Sequence, residues 1–471
     1  VSYHFHDFWK AGLRNYFNAV SAAANVNAAM LNGVAAFSPL PENYRKLARQ
    51  MTASAEMMDR FSRHYPKPSF NLPATHIDGQ DVAVTVENAG ERPYCSLLRF
   101  KRDTDRKDPK VLIVAPMSGH YATLLRGTVE ALLPDHDVYI TDWKDARDVP
   151  LRDGPFGLDD YIDYVRGMIR DLGPDVHVLA VCQPTVPVMA AVATMAAEKD
   201  AVQPLSMTLM GGPIDTRAAP TAVSKYAERH PIEWFRDNVT MTVPPWYKGA
   251  GQRVYPGFLQ LTGFMMMNPD KHYQSHQDLF KHLCEGNDDA AQKIRDFYDE
   301  YLAVCDLHAD FYLQTVEHVF QKQSLARGTL TWRGQPVDPS KITKTSVFTV
   351  EGALDDIAAP GQTESAHRLL TGLAPQKHYH HLQDGAGHYG IFNGRKWREE
   401  ICPQLAGFIR KTGAENGQKY DPPGAESLRK NAIKIPSFWV EKSTDKPLKN
   451  MVEYHNDNNP KKTGDRGTRL G

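Results

Sequence analysis

The chain is constrained first by a short run rich in β-branched residues that ends in a cysteine, Val176-His177-Val178-Leu179-Ala180-Val181-Cys182-Gln183-Pro184-Thr185-Val186-Pro187. Residues 176–181 read as a short strand running straight into Cys182. The Ala-, Met- and Val-rich stretch 188–198 follows at once and reads as a helix. Cys182 therefore falls on a sharp strand-to-helix turn. A strand that feeds directly into a helix, repeated along a chain, points to a parallel sheet covered by helices.

The same rhythm recurs on either side. Residues 82–86 and 96–100 read as antiparallel edge strands, and 111–116 as a fully apolar parallel strand. A helix over 121–133, a strand over 138–143 and an amphipathic helix over 158–172 lead to the Cys182 strand, and 205–210 reads as the next strand. The alternation lapses over 215–342, a stretch rich in aromatics and methionine, among them Trp234, Trp246, Phe264, Met265, Met266 and Met267. Helical periodicity returns there between 289 and 320. The rhythm resumes with a strand over 345–350 and ends with a helix over 396–411.

These patterns predict a doubly wound, mostly parallel sheet with an inserted lid. The expected organisation is an N-terminal helical segment (1–65), an α/β domain in two pieces (66–214 and 343–412), the lid (215–342) and a polar tail (413–471). The N-terminal helices are interrupted at Phe37-Ser38-Pro39-Leu40-Pro41-Glu42. They read either as a layer packed on the α/β domain or as a docking surface for something greasy. The lid's aromatics and methionines read either as the lid's own core or as a greasy docking surface. The end of the tail, 456–471, is expected to be disordered. There are no internal repeats.

Composition excludes several classes. A formal net charge of -1 argues against nucleic acid as a partner, which calls for a basic footprint. The five cysteines (Cys95, Cys182, Cys284, Cys305, Cys402) are odd in number and lack metal-ligand spacing, so free thiols in a reducing compartment are expected and no metal site. No apolar run reaches the roughly 18–20 residues of a membrane span. The sequence begins at Val1 without a signal-peptide pattern, and the expected location is the cytoplasm.

A nucleophile on such a turn resembles the elbow of α/β-hydrolases, which usually carry serine there. Covalent acyl transfer needs a nucleophile, a base and an acid that orients the base, and in that fold they follow the chain order nucleophile, acid, histidine. Cys182 is the candidate nucleophile, with small Ala180 two residues before it and Pro184, where glycine is commoner, two after. Asp355, in Gly352-Ala353-Leu354-Asp355-Asp356-Ile357, is the candidate acid and is preferred to Asp356. His388, in the glycine-rich loop Asp384-Gly385-Ala386-Gly387-His388-Tyr389-Gly390, is the candidate base; His378, His380 and His381 read as strand or surface residues. The imidazole and the helix N-terminus behind Cys182 both favour a thiolate. An oxyanion hole needs two N–H groups. Gln183 offers one, and Met117 or Ser118, in Pro116-Met117-Ser118-Gly119-His120, offers the other.

Together, Ala115-Pro116-Met117-Ser118-Gly119-His120-Tyr121, Ala180-Val181-Cys182-Gln183-Pro184, the 352–360 loop and Gly387-His388-Tyr389-Gly390 resemble the intracellular polyhydroxyalkanoate (PHB) depolymerases. The likeness runs from about Phe8 to Ile409. It implies an α/β-hydrolase with a Cys-His-Asp triad at Cys182, His388 and Asp355 that cleaves amorphous poly(3-hydroxybutyrate) granules in the cytoplasm to oligomers and 3-hydroxybutyrate. No cofactor is required. A homo-oligomer is compatible with the sequence. The rivals are a polyhydroxyalkanoate synthase, whose elbow has glycine on both sides of the cysteine, and a non-catalytic granule-binding protein.

Overall fold

Ten strands form the central sheet: β1 (Ala74–Ile77), β2 (Gln80–Arg92), β3 (Cys95–Arg102), β4 (Lys110–Val114), β5 (Asp137–Trp143), β6 (Val176–Val181), β7 (Ser206–Met210), β8 (Ser346–Gly352), β9 (His378–Gln383) and β10 (Ser437–Phe438). These come from a computed structural model that describes residues 3–37, 42–423 and 437–438. The spatial order is β1-β2-β3-β5-β4-β6-β7-β8-β9-β10. The block from β5 to β9 is parallel throughout, whereas β1, β2, β3 and β10 pair antiparallel. Strands β6, β7 and β8 are buried along their whole length, which accounts for their apolar, β-branched composition. This is the α/β-hydrolase arrangement, with helices on both faces of the sheet.

Helices α1 (Tyr3–Phe37) and α2 (Glu42–Ser62) form the N-terminal pair, and the break between them includes residues 38–41, outside the described residues. Helices α3 (Arg126–Leu132), α4 (Leu158–Leu172) and α5 (Thr185–Ala197) connect the first parallel strands. Residues 185–195 of α5 are buried on every side, so the helix carries no polar face. Six helices lie between β7 and β8: α6 (Ala222–Arg229), α7 (Ile232–Val239), α8 (Gly257–Met267), α9 (Pro269–Glu285), α10 (Asp288–Tyr301) and α11 (Ala309–Thr315). Among them sits a small antiparallel sheet of Met241–Thr242, Arg253–Tyr255 and Leu307–His308. Helix α12 (Cys402–Glu415) closes the α/β part.

Several expectations need correction. Strands β2 and β3 are not edges, because β1 covers β2 and β3 lies between β2 and β5. The expected helix at 121–133 begins as a 3₁₀ turn, Ala122–Leu125, and becomes α-helical only at Arg126. The expected helix at 289–320 is two helices separated at 302–308, where Leu307–His308 joins the small sheet. The last helix passes through a π-helical turn, Trp397–Ile401, and runs on to Glu415, into the stretch expected to be polar tail. The expected disorder at 456–471 lies outside the described residues.

Candidate active site

The strand order reverses at β4. The chain leaves β4 for β5 on one side and returns to β6 on the other. Open α/β sheets form a crevice beyond the carboxyl ends of the strands at such a switch point. Met117 follows β4 and Cys182 follows β6, so the two neighbouring strand ends deliver both residues to this crevice. Asp355 and His388 follow β8 and β9, at the same end of the sheet.

Cys182 is half-buried and has φ +66°, a left-handed conformation that non-glycine residues rarely adopt. The turn is held on both sides. The Cys182 N–H donates to the Met210 carbonyl at 2.7 Å, and the Cys182 carbonyl accepts from the Thr185 N–H at 3.1 Å. The sulfur thereby stands ahead of the first turn of α5, where the helix dipole favours negative charge.

His388 opens a 3₁₀ turn, His388–Ile391, and is buried. Its Nδ1 lies 2.7 Å from Asp355 Oδ2, and the Cys182 side chain is near enough to the ring to raise its pKa. The other Asp355 oxygen accepts from the N–H groups of Ile357 and Ala358, each at 2.9 Å. The carboxylate is therefore fixed at both oxygens, whereas Asp356 is exposed. Burial opposes charge on His388. The Cys182 charge and the hydrogen bonds from Asp355 and Cys182 outweigh it and hold the imidazole well above its ordinary value of 6.5.

The loop after β4 is pinned from several directions. The Ala115 N–H donates to Thr141 Oγ1 at 2.9 Å, and the Ala115 carbonyl accepts from Trp143 Nε1 at 2.9 Å. The Gly119 carbonyl accepts from the Cys305 N–H at 2.7 Å, and His120 Nε2 lies 3.1 Å from the Tyr301 carbonyl. The first two bonds tie the loop to β5, and the last two tie it to the end of α10 and the chain just past it. Burial pushes His120 down to about 4, which leaves it neutral. The Met117 N–H faces the Gln183 side chain, with Oε1 at 3.4 Å. Met117 is buried and Ser118 half-buried.

Sequence reasoning missed Gly211, which follows β7. It has φ +54°, and a Cβ there would stand 2.7 Å from Ile391 Cδ1, 3.3 Å from His388 Cε1 and 3.4 Å from Asp355 Oδ2. The only sequence signal is a Gly211-Gly212 pair at a strand end. Among the described residues, Glu351, Glu364 and His380 are grouped closely enough to offer metal-ligand atoms. Both Glu351 oxygens there already accept the backbone N–H groups of Gly361, Thr363 and Glu364, so the carboxylate holds a turn.

No curated protein sequence matches the chain. Solved structures that resemble it include the monoacylglycerol lipase of Paleococcus ferrophilus, at 13% identity, covering 68% of this chain and 98% of that one with a TM-score of 0.39. Another is the 2-hydroxy-6-oxo-6-phenylhexa-2,4-dienoate hydrolase of Rhodococcus sp. strain RHA1, at 11% identity, covering 70% and 99% with a TM-score of 0.39. Residues 211–413 match the family model described as PHB de-polymerase C-terminus, a match that takes in Asp355 and His388. Over residues 211–413 the chain is thus similar to the PHB depolymerase family.

Proposed function

We propose that the protein hydrolyses poly(3-hydroxybutyrate) held in cytoplasmic storage granules, through a Cys182–His388–Asp355 triad and a thioester acyl-enzyme. The observation that carries this reading is the buried His388 ring, hydrogen-bonded to Asp355 at Nδ1 and held protonated in part by the neighbouring Cys182. In this reading residues 66–214 and 343–412 form the catalytic domain, 215–342 its lid and 413–471 a tail, with 1–65 packed as a helical segment.

The Cys182 sulfur attacks an ester carbonyl carbon. A C–S bond forms and the carbonyl π pair moves onto oxygen, where the N–H groups of Gln183 and of Met117 or Ser118 stabilise it. Collapse breaks the C–O bond to the departing chain, and the alkoxide takes the proton from His388. Water then gives a proton to His388 and attacks the thioester. The C–S bond breaks, the acid leaves and the sulfur returns as thiolate. Asp355 holds the ring in the tautomer with a proton on Nδ1 and supports its positive charge.

An insoluble polyester also calls for apolar surface. Helix α1 exposes Phe8 and Trp9, and the stretch between β7 and β8 exposes Trp246, Met266 and Tyr273. No helix of the described residues is long and apolar enough to cross a membrane.

The test is acid release from native, amorphous granules by wild type and by Cys182→Ala. Loss of about 10³-fold or more is expected for the variant. Near-full activity in Cys182→Ala overturns the assignment. Granule binding by the wild type without acid release identifies a coat protein instead. Polymer formation with release of coenzyme A from 3-hydroxybutyryl-CoA identifies a synthase.

A further inference from the structure

The Gln183 side chain is 7% exposed, and among the described residues its Nε2 has no hydrogen-bond partner. Its Oε1 lies 3.4 Å from the Met117 N, at the long end of hydrogen-bond geometry. The backbone N–H of the same residue has no acceptor among the described residues. Both unpartnered donors belong to the residue that directly follows Cys182. The amide oxygen faces the Met117 N–H, one of the donors that the proposed mechanism assigns to the substrate's carbonyl oxygen. A carboxamide carries an acceptor at one end and two donors at the other. Here the acceptor is weakly used, and the donors are buried with nothing to donate to. Burying such a group is unfavourable unless an acceptor arrives.

An ester supplies what the site lacks, two acceptor oxygens. We propose that the Gln183 carboxamide is a built-in occupant of the oxyanion site, that the substrate ester displaces its Oε1 from the Met117 N–H, and that its Nε2 then donates to an ester oxygen. The long Oε1 contact makes the exchange easy, and the orphan Nε2 makes it favourable only when an oxygen-rich substrate is present. Gln183 thus acts twice, through its backbone N–H and through its side chain. The inference rests on the Cys182 thioester reading given above.

The test compares two reactions of Cys182. Acylation by p-nitrophenyl butyrate builds an oxyanion and is read as the burst of p-nitrophenolate. Alkylation by iodoacetamide builds none and reports only the thiolate and its access. Gln183→Met keeps the length of the side chain but can neither accept nor donate. It is expected to slow acylation about 10- to 100-fold while alkylation stays within about three-fold of wild type. Gln183→Glu keeps the acceptor and replaces the donor, and is expected to acylate more slowly still. Equal acylation by wild type and Gln183→Met overturns the inference, as does a parallel fall in both reactions, which would mark a structural role. A wild-type protein that gives no burst from Cys182 sinks the thioester reading itself, a distinguishable failure.

If neither variant folds, the wild type decides. With n-butyraldehyde the thiol adds across the carbonyl, the C–S bond forming and the proton passing to oxygen. In a crystal structure of that adduct the Met117 N–H should donate to the new oxygen, with Gln183 Nε2 within hydrogen-bond distance of it. Oε1 still seated on the Met117 N–H overturns the inference.

Discussion

Gly211 leaves room for His388: a Cβ at position 211 would stand 3.3 Å from the ring's Cε1, tighter than nine in ten real Cβ contacts. The same atom would press to 2.7 Å on Ile391, one turn past the histidine. The residue also has φ +54°, which costs an L-residue roughly 1–2 kcal/mol. Gly211→Ala should therefore both destabilise the fold and push the imidazole out of line. A displacement of about 1 Å at a reacting group can cost on the order of 10²-fold in rate. Turnover of a soluble ester, measured beside the thermal midpoint, should show a loss of that order with a smaller loss of stability. Unchanged turnover would mean that the ring tolerates the shift.

The two neighbouring aspartates make a sharper comparison. Asp355 meets His388 Nδ1 at 2.7 Å and is buried, whereas Asp356 is exposed. An amide at 355 can present its NH2 to Nδ1 and so select the wrong tautomer, a change worth about 10³–10⁴-fold in serine hydrolases. Asp355→Asn should lose activity on that scale, and Asp356→Asn should stay within about two-fold of wild type. The reverse pattern in initial rates with a soluble ester would transfer the role to Asp356.

How far these features were legible depends on where the physical constraint lies. Strands β4, β6, β7 and β8 were readable because burial on both faces demands an apolar, β-branched run of strand length. Strand β1 was readable and missed. Asp78-Gly79 is a two-residue hairpin turn, with φ +50° and +84° at its two positions. It joins a strand of four residues that shows little pattern. Helix α8 escaped because its apolar residues lack helical periodicity, and α9 because it buries only Leu279. Cys182, Asp355 and His388 each stand in a loop just past a strand, a local pattern. The need for glycine at 211 comes from His388 and Ile391, far away in sequence, and leaves no local trace beyond the Gly-Gly pair.

The five thiols should separate cleanly by reactivity. Burial pushes Cys95 and Cys305 far up, and Cys402 up to about 12, so all three stay as inert thiols. Cys284 is half-buried, with its thiol raised by burial and then by Glu285. Cys182 is half-buried too, but it faces His388 and a helix N-terminus. One equivalent of iodoacetamide at neutral pH should label Cys182 first and Cys284 more slowly, and the other three only after unfolding. Peptide mass spectrometry checks the order. Prior labelling of Cys284 would mean that the sulfur at 182 is not activated.

Protonation of His388 links the site to the stability of the whole chain. Burial is the largest single influence and opposes the charged ring, but the Cys182 charge and the hydrogen bonds from Asp355 and Cys182 together raise its pKa well above 6.5. A group whose folded value exceeds its unfolded value, here near 6.5, stabilises the fold fully below the unfolded value. That contribution disappears as pH rises through the folded value. Cys182→Ala removes the Cys182 side chain, the first of the raising influences on the ring, so the ring should lose its proton at lower pH. Urea midpoints measured across the alkaline range should therefore begin to fall earlier in Cys182→Ala than in wild type. Titration of the His388 Cε1–H by NMR gives the same comparison directly. Superimposable profiles would mean that no ion pair forms between sulfur and imidazole, and that the cysteine reaches the ester as a neutral thiol needing base assistance in the attack itself.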